Sequence, residues 1–492
     1  MAKSSVAEEV TASTRKTIDK VTMKDKIWQR RSSMSETKQY YNLKRKILIN
    51  LISAGSALLT VVVTSSFMKF YTDMVGLSPA IYGVVFLVFS IWNGINDPII
   101  GYWADKRPFL TGRGKYTPLI RWAVPVIGVS VIALLFASPG WNQMITAAYL
   151  LILLVIYEGA NTLLGVSFMA FTVNTFLSTT ERTQVQVIAS YVNMIPVFLG
   201  GMIPVWFLTG EYSRETVIAI FSGAFLFGLL LIWIGSRFIR EDEKFYERLE
   251  VTQGLKELIR LGKDLFKDKT FALFIFAFLF IQAGTGNYFS GYLYYMDNVL
   301  EVSGLQATIP DVLTGVGQMI LFPFIIIMVK KFGARDVLWK GLLIAFAGHL
   351  LLTLPINYWI AAGTYIVILL GYGFGSAINP AIIGLVVDHI ELKTGKRQPG
   401  VVRGIIAILM LPATSMQPLI LSALLSAAGY IGGTKHQTAE VVQAIRYGTG
   451  LIPAVILIIG IFLLAMVPIN HKREREIQAA IEAKHGESPE LV

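Results

Sequence analysis

Twelve apolar segments, each about 20 residues or longer, follow one another along the chain. They lie at roughly 47–72, 80–104, 117–138, 144–176, 184–209, 216–237, 270–295, 309–330, 337–355, 358–387, 401–429 and 448–468. A helix of that length crosses the hydrocarbon of a bilayer, and inside lipid each backbone polar group must be satisfied within the segment itself. The pattern therefore predicts an all-α membrane protein with twelve transmembrane helices. The balance of 54% hydrophobic to 15% charged residues points the same way.

Lys and Arg gather in alternate loops: Met1 to Lys46, Lys106 to Lys115, Arg237 to Lys269, Lys330 to Arg335, Lys393 to Arg403, and Lys472 to Arg475. The opposite loops hold Arg214, Lys435 and Arg446. Cytoplasmic loops carry the positive excess, so both termini are expected in the cytoplasm of a multi-pass protein of the cell membrane. The net charge of +11 reflects this bias, and its spread over short loops argues against nucleic acid as a partner.

The N-terminal tail lacks the apolar core of a signal peptide. Ile18, Val21, Met23, Ile27 and Trp28 among lysines fit either a membrane-surface helix or a disordered tail. The chain has no cysteine, which excludes disulfides, thiolate metal sites and cysteine nucleophiles.

Six spans, a charged stretch and six more spans suggest two six-helix bundles. The divisions are a tail at 1–46, a bundle at 47–237, a linker at 238–269, a bundle at 270–468 and a tail at 469–492. The linker, with EDEKFYERLE and LKELIRLGKDLFKD, reads as an amphipathic helix. A degenerate repeat supports duplication: GYWADKRPFLTGRGKYTPLI follows the second span and VKKFGARDVLWKG follows the eighth.

Within the second span, IWNGINDPIIGYWADK places Asp97 deep in an apolar run. A carboxylate is costly in hydrocarbon and is expected to face a bundle interior, where it binds an ion or ties two helices together. Asn93, Asn96 and Asp97 stand at i, i+3 and i+4 and share a face that offers hard oxygen ligands. On the fourth span, Glu158, Thr162, Gly165 and Met169 form a second stripe at i, i+4, i+7 and i+11. If the two faces meet, Asp97 and Thr162 close a cation site with Glu158 one turn away. The other reading of Glu158 is a side chain that snorkels to water. Asp73, at the end of the first span, reads as an interfacial residue.

The run IWNGINDPIIGYWADK, with GRGKYTPLIRW, FYTDMVGLSP and VVDHIELKTGKRQPG, resembles the glycoside-pentoside-hexuronide:cation symporters, the melibiose-permease type of major facilitator. The resemblance runs from about Leu48 to Val467. It implies the major facilitator fold, alternating access, and coupling to Na+, Li+ or H+. Carried over by position, it places the cation on Asn93, Asn96, Asp97 and Thr162, with Asp97 as the metal ligand if the ion is Na+. Asn93 stands where the family has an acid, so a weaker cation site, or a proton on Asp97 alone, is implied.

The family's sugar-binding acids fall on Ala57, beside Ser56, and on Gly165; its stacking aromatic falls on Met169. No Lys occurs between Gly404 and Leu421. A galactoside held in the melibiose manner is therefore not expected. The candidate solute contacts are Glu158, Gly165, Met169, Asn287, Tyr288, Tyr292 and Gln417. Gln282, Tyr294, Tyr295, Gln318, His349 and Asn379 are further polar groups in the second half. Amides and phenols suit hydroxyl-rich ligands, although they also serve as interfacial anchors and interhelical bonds.

The expected function is uptake of a small polar solute, a glycoside, pentoside or hexuronide, coupled to Na+ or H+, by a monomer with no cofactor. The alternatives are transport of a lysolipid or other amphiphile and a non-transporting membrane sensor. An enzyme is not expected, because the five histidines form no metal-ligand spacing and no nucleophile or phosphate-loop motif stands in context.

Overall fold

The computed structural model describes residues 41–176, 179–209, 212–243, 265–394 and 399–485. The N-terminal tail, most of the expected linker helix and much of the KTGKR motif lie outside these residues. Twelve helical units follow in order. The first six are α1 (Leu43–Lys69), α2 (Pro79–Asp105), α3 (Thr117–Ala133), α4 (Gln143–Thr175), α5 (Thr179–Leu208) and α6 (Arg214–Arg237). The next five are α7 (Lys269–Tyr294), α8 (Gly304–Phe332), α9 (Ala334–Leu352), α10 (Tyr358–Thr394) and α11 (Pro399–Ala427). The last, α12, has the pieces Ala439–Arg446, Tyr447–Leu451 and Ile452–Met466, and a terminal helix α13 (His471–His485) follows.

Among the described residues, nine helices are long and apolar enough to cross a membrane, and bent α8 makes a tenth. α8 turns by 45° between Gln318 and Ile320. Pro323 accounts for the bend, since its ring displaces the carbonyl four residues earlier and removes a hydrogen bond there. α9 is short, and Arg335, Asp336 and Lys340 occupy its first turns.

The expected duplication is written in the packing. α1 pairs with α5 and α6, α2 with α4, and α3 with α4 and α6; each of these pairs recurs six helices later. Glycine sets the closest approaches at equivalent crossings. A Cβ on Gly235 of α6 would lie 2.8 Å from Ile52 Cγ1 on α1, and one on Gly460 of α12 would lie 2.9 Å from Ile281 Cγ1 on α7. We call the end of the molecule bearing residues 237–243 and 265–269 the linker face and the opposite end the far face.

The repeat extends to the linker-face turns. Glu241, just after α6, receives the backbone N–H groups of Lys115 (2.8 Å) and Tyr116 (3.0 Å) and the Thr117 hydroxyl at the start of α3. Glu474 of α13 receives the Ala334 N–H at the start of α9 (3.0 Å). A carboxylate at a helix N-terminus satisfies orphan donors and complements the helix dipole. In both halves a left-handed glycine, Gly114 (φ 86°) or Gly333 (φ 85°), gives way to the carboxylate. A Cβ there would come within 2.7 Å of Glu241 Oε1 or 2.9 Å of Glu474 Oε2.

Asp268 caps α7 through the Phe271 N–H (3.0 Å) and joins it to α10 through Lys393 (2.7 Å) and His389 (3.3 Å). Partial burial pushes its carboxyl up, but the Lys393 bond, the cap and His389 outweigh that and hold it at about 2, below the ordinary 3.8. A depressed carboxyl stabilises the fold above its unfolded value and loses that contribution as pH falls through the folded value. The α7–α10 tie is therefore expected to hold down to about pH 4 and weaken towards pH 2. An acid titration of unfolding in detergent should show this loss, and Asp268→Asn should remove it. Gly235→Leu should force α1 from α6 at a cost of about 1–3 kcal/mol. A thermal-unfolding midpoint equal to that of the parent would show that this crossing tolerates a side chain.

Candidate functional site

α2 and α4 pack together and bring the two polar stripes into contact. Thr162 Oγ1 donates to Asp97 Oδ1 at 3.0 Å. Asp97 is exposed at this contact, while Thr162 is buried. Asn96 is fully buried, and neither its Oδ1 nor its Nδ2 has a partner among the described residues. Such an amide costs about 1–3 kcal/mol if nothing ever satisfies it. Asn93 points elsewhere, to a cavity that it shares with Glu158. Glu158 is half-buried halfway along α4, without a hydrogen bond among the described residues and within electrostatic reach of Asp97.

Two cavities meet at Thr60. The larger, about 790 Å³, lies against the linker-face halves of α1, α4 and α5, and its wall includes Ser56, Ala57, Gly165 and Met169. The smaller, about 250 Å³, lies between the bundles towards the far face; Asn93, Glu158, Lys69, Ser290 and Tyr294 line it. Glu158, Gly165 and Met169 are therefore cavity residues.

Tyr288 and Tyr292 line neither cavity. Both are buried in the second bundle, where the Tyr292 hydroxyl donates to the Ala307 carbonyl at 2.6 Å. Alternation along α7 turns this face to α8 and α10 and the Ser290 and Tyr294 face to the cavity. The side chains of Asn287 and Gln417 lie outside the described residues. Sequence reasoning missed Ser53 and Asn193, which join α1 to α5 by a 2.9 Å hydrogen bond on the larger cavity's wall. It also missed Asn161, which accepts from Ser56 at 2.9 Å. An amide in an apolar run was the available signal.

The far face is closed by a buried ion cluster. Lys69, 1% exposed, lies 2.7 Å from Asp73 on its own segment and 2.7 Å from Asp297 on the other bundle. The Tyr430 hydroxyl donates to Asp73 Oδ1 at 2.7 Å, and the ammonium stands 4.8 Å from the Tyr294 ring centroid. Asp73 is thus part of a bundle-to-bundle junction and not an isolated interfacial residue. Both acids sit in π-helical turns that continue α1 and α7, Phe70–Val75 and Tyr295–Val299. Their sequences YTDMV and YMDNV repeat one another, a signal overlooked in the sequence.

Removing one partner of a buried pair typically costs about 3–5 kcal/mol. Lys69→Gln leaves two carboxylates facing each other and should open the far face. Spin labels at Met144→Cys and Trp359→Cys, on far-face helix ends of the two bundles, should report a longer separation in that variant. An unchanged distance distribution would remove the cluster from the gate.

Comparison with known proteins agrees with this architecture. A family model described as MFS/sugar transport protein matches residues 48–471. The uncharacterized symporter YnaJ of Bacillus subtilis (strain 168) is 23% identical over 465 residues, covering 90% of this chain and 96% of that one. The isoprimeverose transporter of Lactiplantibacillus pentosus is 25% identical over 447 residues, covering 87% and 89%. Among solved structures, a bacterial homolog of the human lysosomal transporter Spinster, inward-facing and occupied, superposes with a TM-score of 0.62 at 15% identity over 87% of this chain and 97% of that one. The chain belongs to the MFS/sugar transport protein family, as a major facilitator of the glycoside-pentoside-hexuronide symporter type.

Proposed function

We propose that the protein moves a small hydroxyl-rich solute, a glycoside, pentoside or hexuronide, together with Na+ or H+ by alternating access. The 3.0 Å Thr162–Asp97 bond carries this reading, because it joins the α2 and α4 stripes beside an unsatisfied buried amide. One carboxylate, a hydroxyl and amide oxygens suit a monovalent ion or a proton better than a divalent metal. Asn93, turned towards Glu158, belongs in this scheme to the solute cavity as much as to the ion.

The linker face is proposed to be cytoplasmic, with bundles at 47–237 and 270–468. The larger cavity then faces the cytoplasm, and the Lys69 cluster seals the outside. Solute would occupy the space from Thr60 towards Glu158, where hydroxyls and a carboxylate face aromatic rings of Phe86 and Phe89. A second reading has its own observation: Leu164, Phe168, Met169 and Phe176 give the larger cavity an apolar wall that suits an amphiphile's tail.

The ion can bias the two states only through a difference in affinity between them. Asp97→Asn should therefore abolish gradient-driven accumulation in proteoliposomes while leaving passive equilibration of the solute. Labelled xylosides, pentosides and uronides under an imposed Na+ or H+ gradient form the assay, with lysolipid as competitor. Concentrative uptake by the variant equal to the parent's would remove Asp97 from coupling, and transport of lysolipid alone would select the amphiphile.

A further inference from the structure

A second group of ionisable side chains lies inside the other bundle. On α8, Ala307, Asp311, Thr314 and Gln318 stand at i, i+4, i+7 and i+11 and so share a face. The Ala307 carbonyl accepts from Tyr292 of α7 at 2.6 Å, and Gln318 Nε2 donates to the Leu369 carbonyl of α10 at 3.0 Å. Asp311 is therefore turned towards α7 and α10. It has no ion pair or hydrogen bond among the described residues. Tyr288, Tyr292 and Tyr365 lie within its electrostatic reach. The Tyr288 and Tyr365 hydroxyls are buried without partners among the described residues, their rings 5.3 Å apart.

We propose that Asp311, with Tyr288 and Tyr365, forms a proton-binding site in the second bundle, separate from the Asp97–Thr162 pair. A partly buried carboxylate with no cation beside it among the described residues is costly to leave charged, and phenols unpaired among them are costly to leave unbonded. A proton on the carboxyl removes the first cost, and small side-chain movements that bond the carboxyl to the phenols remove the second. Neither cavity described above includes these groups, which favours a proton over a hydrated ion. Asp311 lies seven residues into α8, about 10 Å along its axis from the far-face end, a short route for protons.

The surrounding groups leave Asp311 as the acid of this site. α7 contributes Tyr288, Tyr292 and Tyr295, and α10 contributes Tyr365 and Tyr372, with Tyr358 at its start. α9 contributes His349, whose Nε2 is 2.6 Å from the Tyr372 hydroxyl and whose Nδ1 is 2.9 Å from the Thr449 carbonyl. α12 contributes Arg446, which acts on Tyr295 at the edge of the cluster. α5, which packs on α8 from the first bundle, has no ionisable side chain between Val192 and Leu208. That occupancy of the site steers transport rests on the function proposed above; the existence of the site does not.

Infrared difference spectra of the purified full-length protein in detergent test it directly. They are recorded between about pH 5 and pH 9, where exposed carboxyls are silent. With every variant made in a Glu158→Gln background, which removes the half-buried carboxyl of the first bundle, the parent and Asp97→Asn should show a protonated-carboxyl band that Asp311→Asn lacks and Asp311→Glu keeps at a displaced frequency. Tyr288→Phe combined with Tyr365→Phe should displace the pH midpoint of the band by about one unit, a tenfold change in proton affinity. A band that persists in Asp311→Asn, or a parent without one, overturns the site; an unmoved midpoint removes the phenols from it. In proteoliposomes, Asp311→Asn should flatten the pH profile of uptake. Because the spectra need no solute, failure of every uptake assay would count against the transport reading alone.

Discussion

One ammonium shared by two carboxylates holds the far face together. Lys69 is buried, and its two acids come from different bundles, so its desolvation is offset by both carboxylates only while the bundles touch there. The smaller cavity exists because this junction closes above it: Lys69 and Tyr294 line that cavity and also belong to the cluster. Separation of the bundles at this point would expose Asp73 and Asp297 to water, which hydrates charge well. The same residues can therefore stabilise a closed face when dry and cost little when wet, as a gate requires.

Duplication explains why the two acids stand opposite each other. The helix pairs of one bundle recur in the other, and the π-turns that carry Asp73 and Asp297 occupy corresponding places on α1 and α7. Only the first copy has a lysine one turn before its acid; the corresponding position in the second is Leu293. With no lysine the two carboxylates would face each other unneutralised, so the one ammonium at Lys69 makes the junction attractive. Asymmetry appears in the interior as well. The first bundle presents an exposed acid bonded to a threonine, whereas in the second Asp311 lies within electrostatic reach of three phenols.

The fold was legible because lipid leaves the backbone so few options: segment lengths and loop charge were enough to outline two bundles of helices. The Asp97–Thr162 contact was legible for a similar reason, since helical spacing placed each residue on a polar stripe of its own span. Lys69, Asp73 and Asp297 were not read together, because an ion pair across more than 200 residues leaves no local periodicity, although YTDMV and YMDNV were there to compare. Tyr288 and Tyr292 were read as solute contacts because a phenol suits a cavity wall and a packed interior equally well. Glu241 looked like one charge among many in a solvated linker; what singles it out is three successive backbone N–H groups, which a side-chain pattern cannot display.

The clasps at Glu241 and Glu474 bear on how the chain can be divided. Each comes after the last membrane helix of its own half and returns to the third helix of that same half. A break in the chain between Glu243 and Leu265 would therefore leave each fragment its own six helices and the residue that fastens them. Reassembly of two separately made halves would then depend on the surfaces between bundles, with the Lys69 junction supplying orientation. The covalent connection serves to deliver the halves together and in equal number, and each half carries its own means of closure.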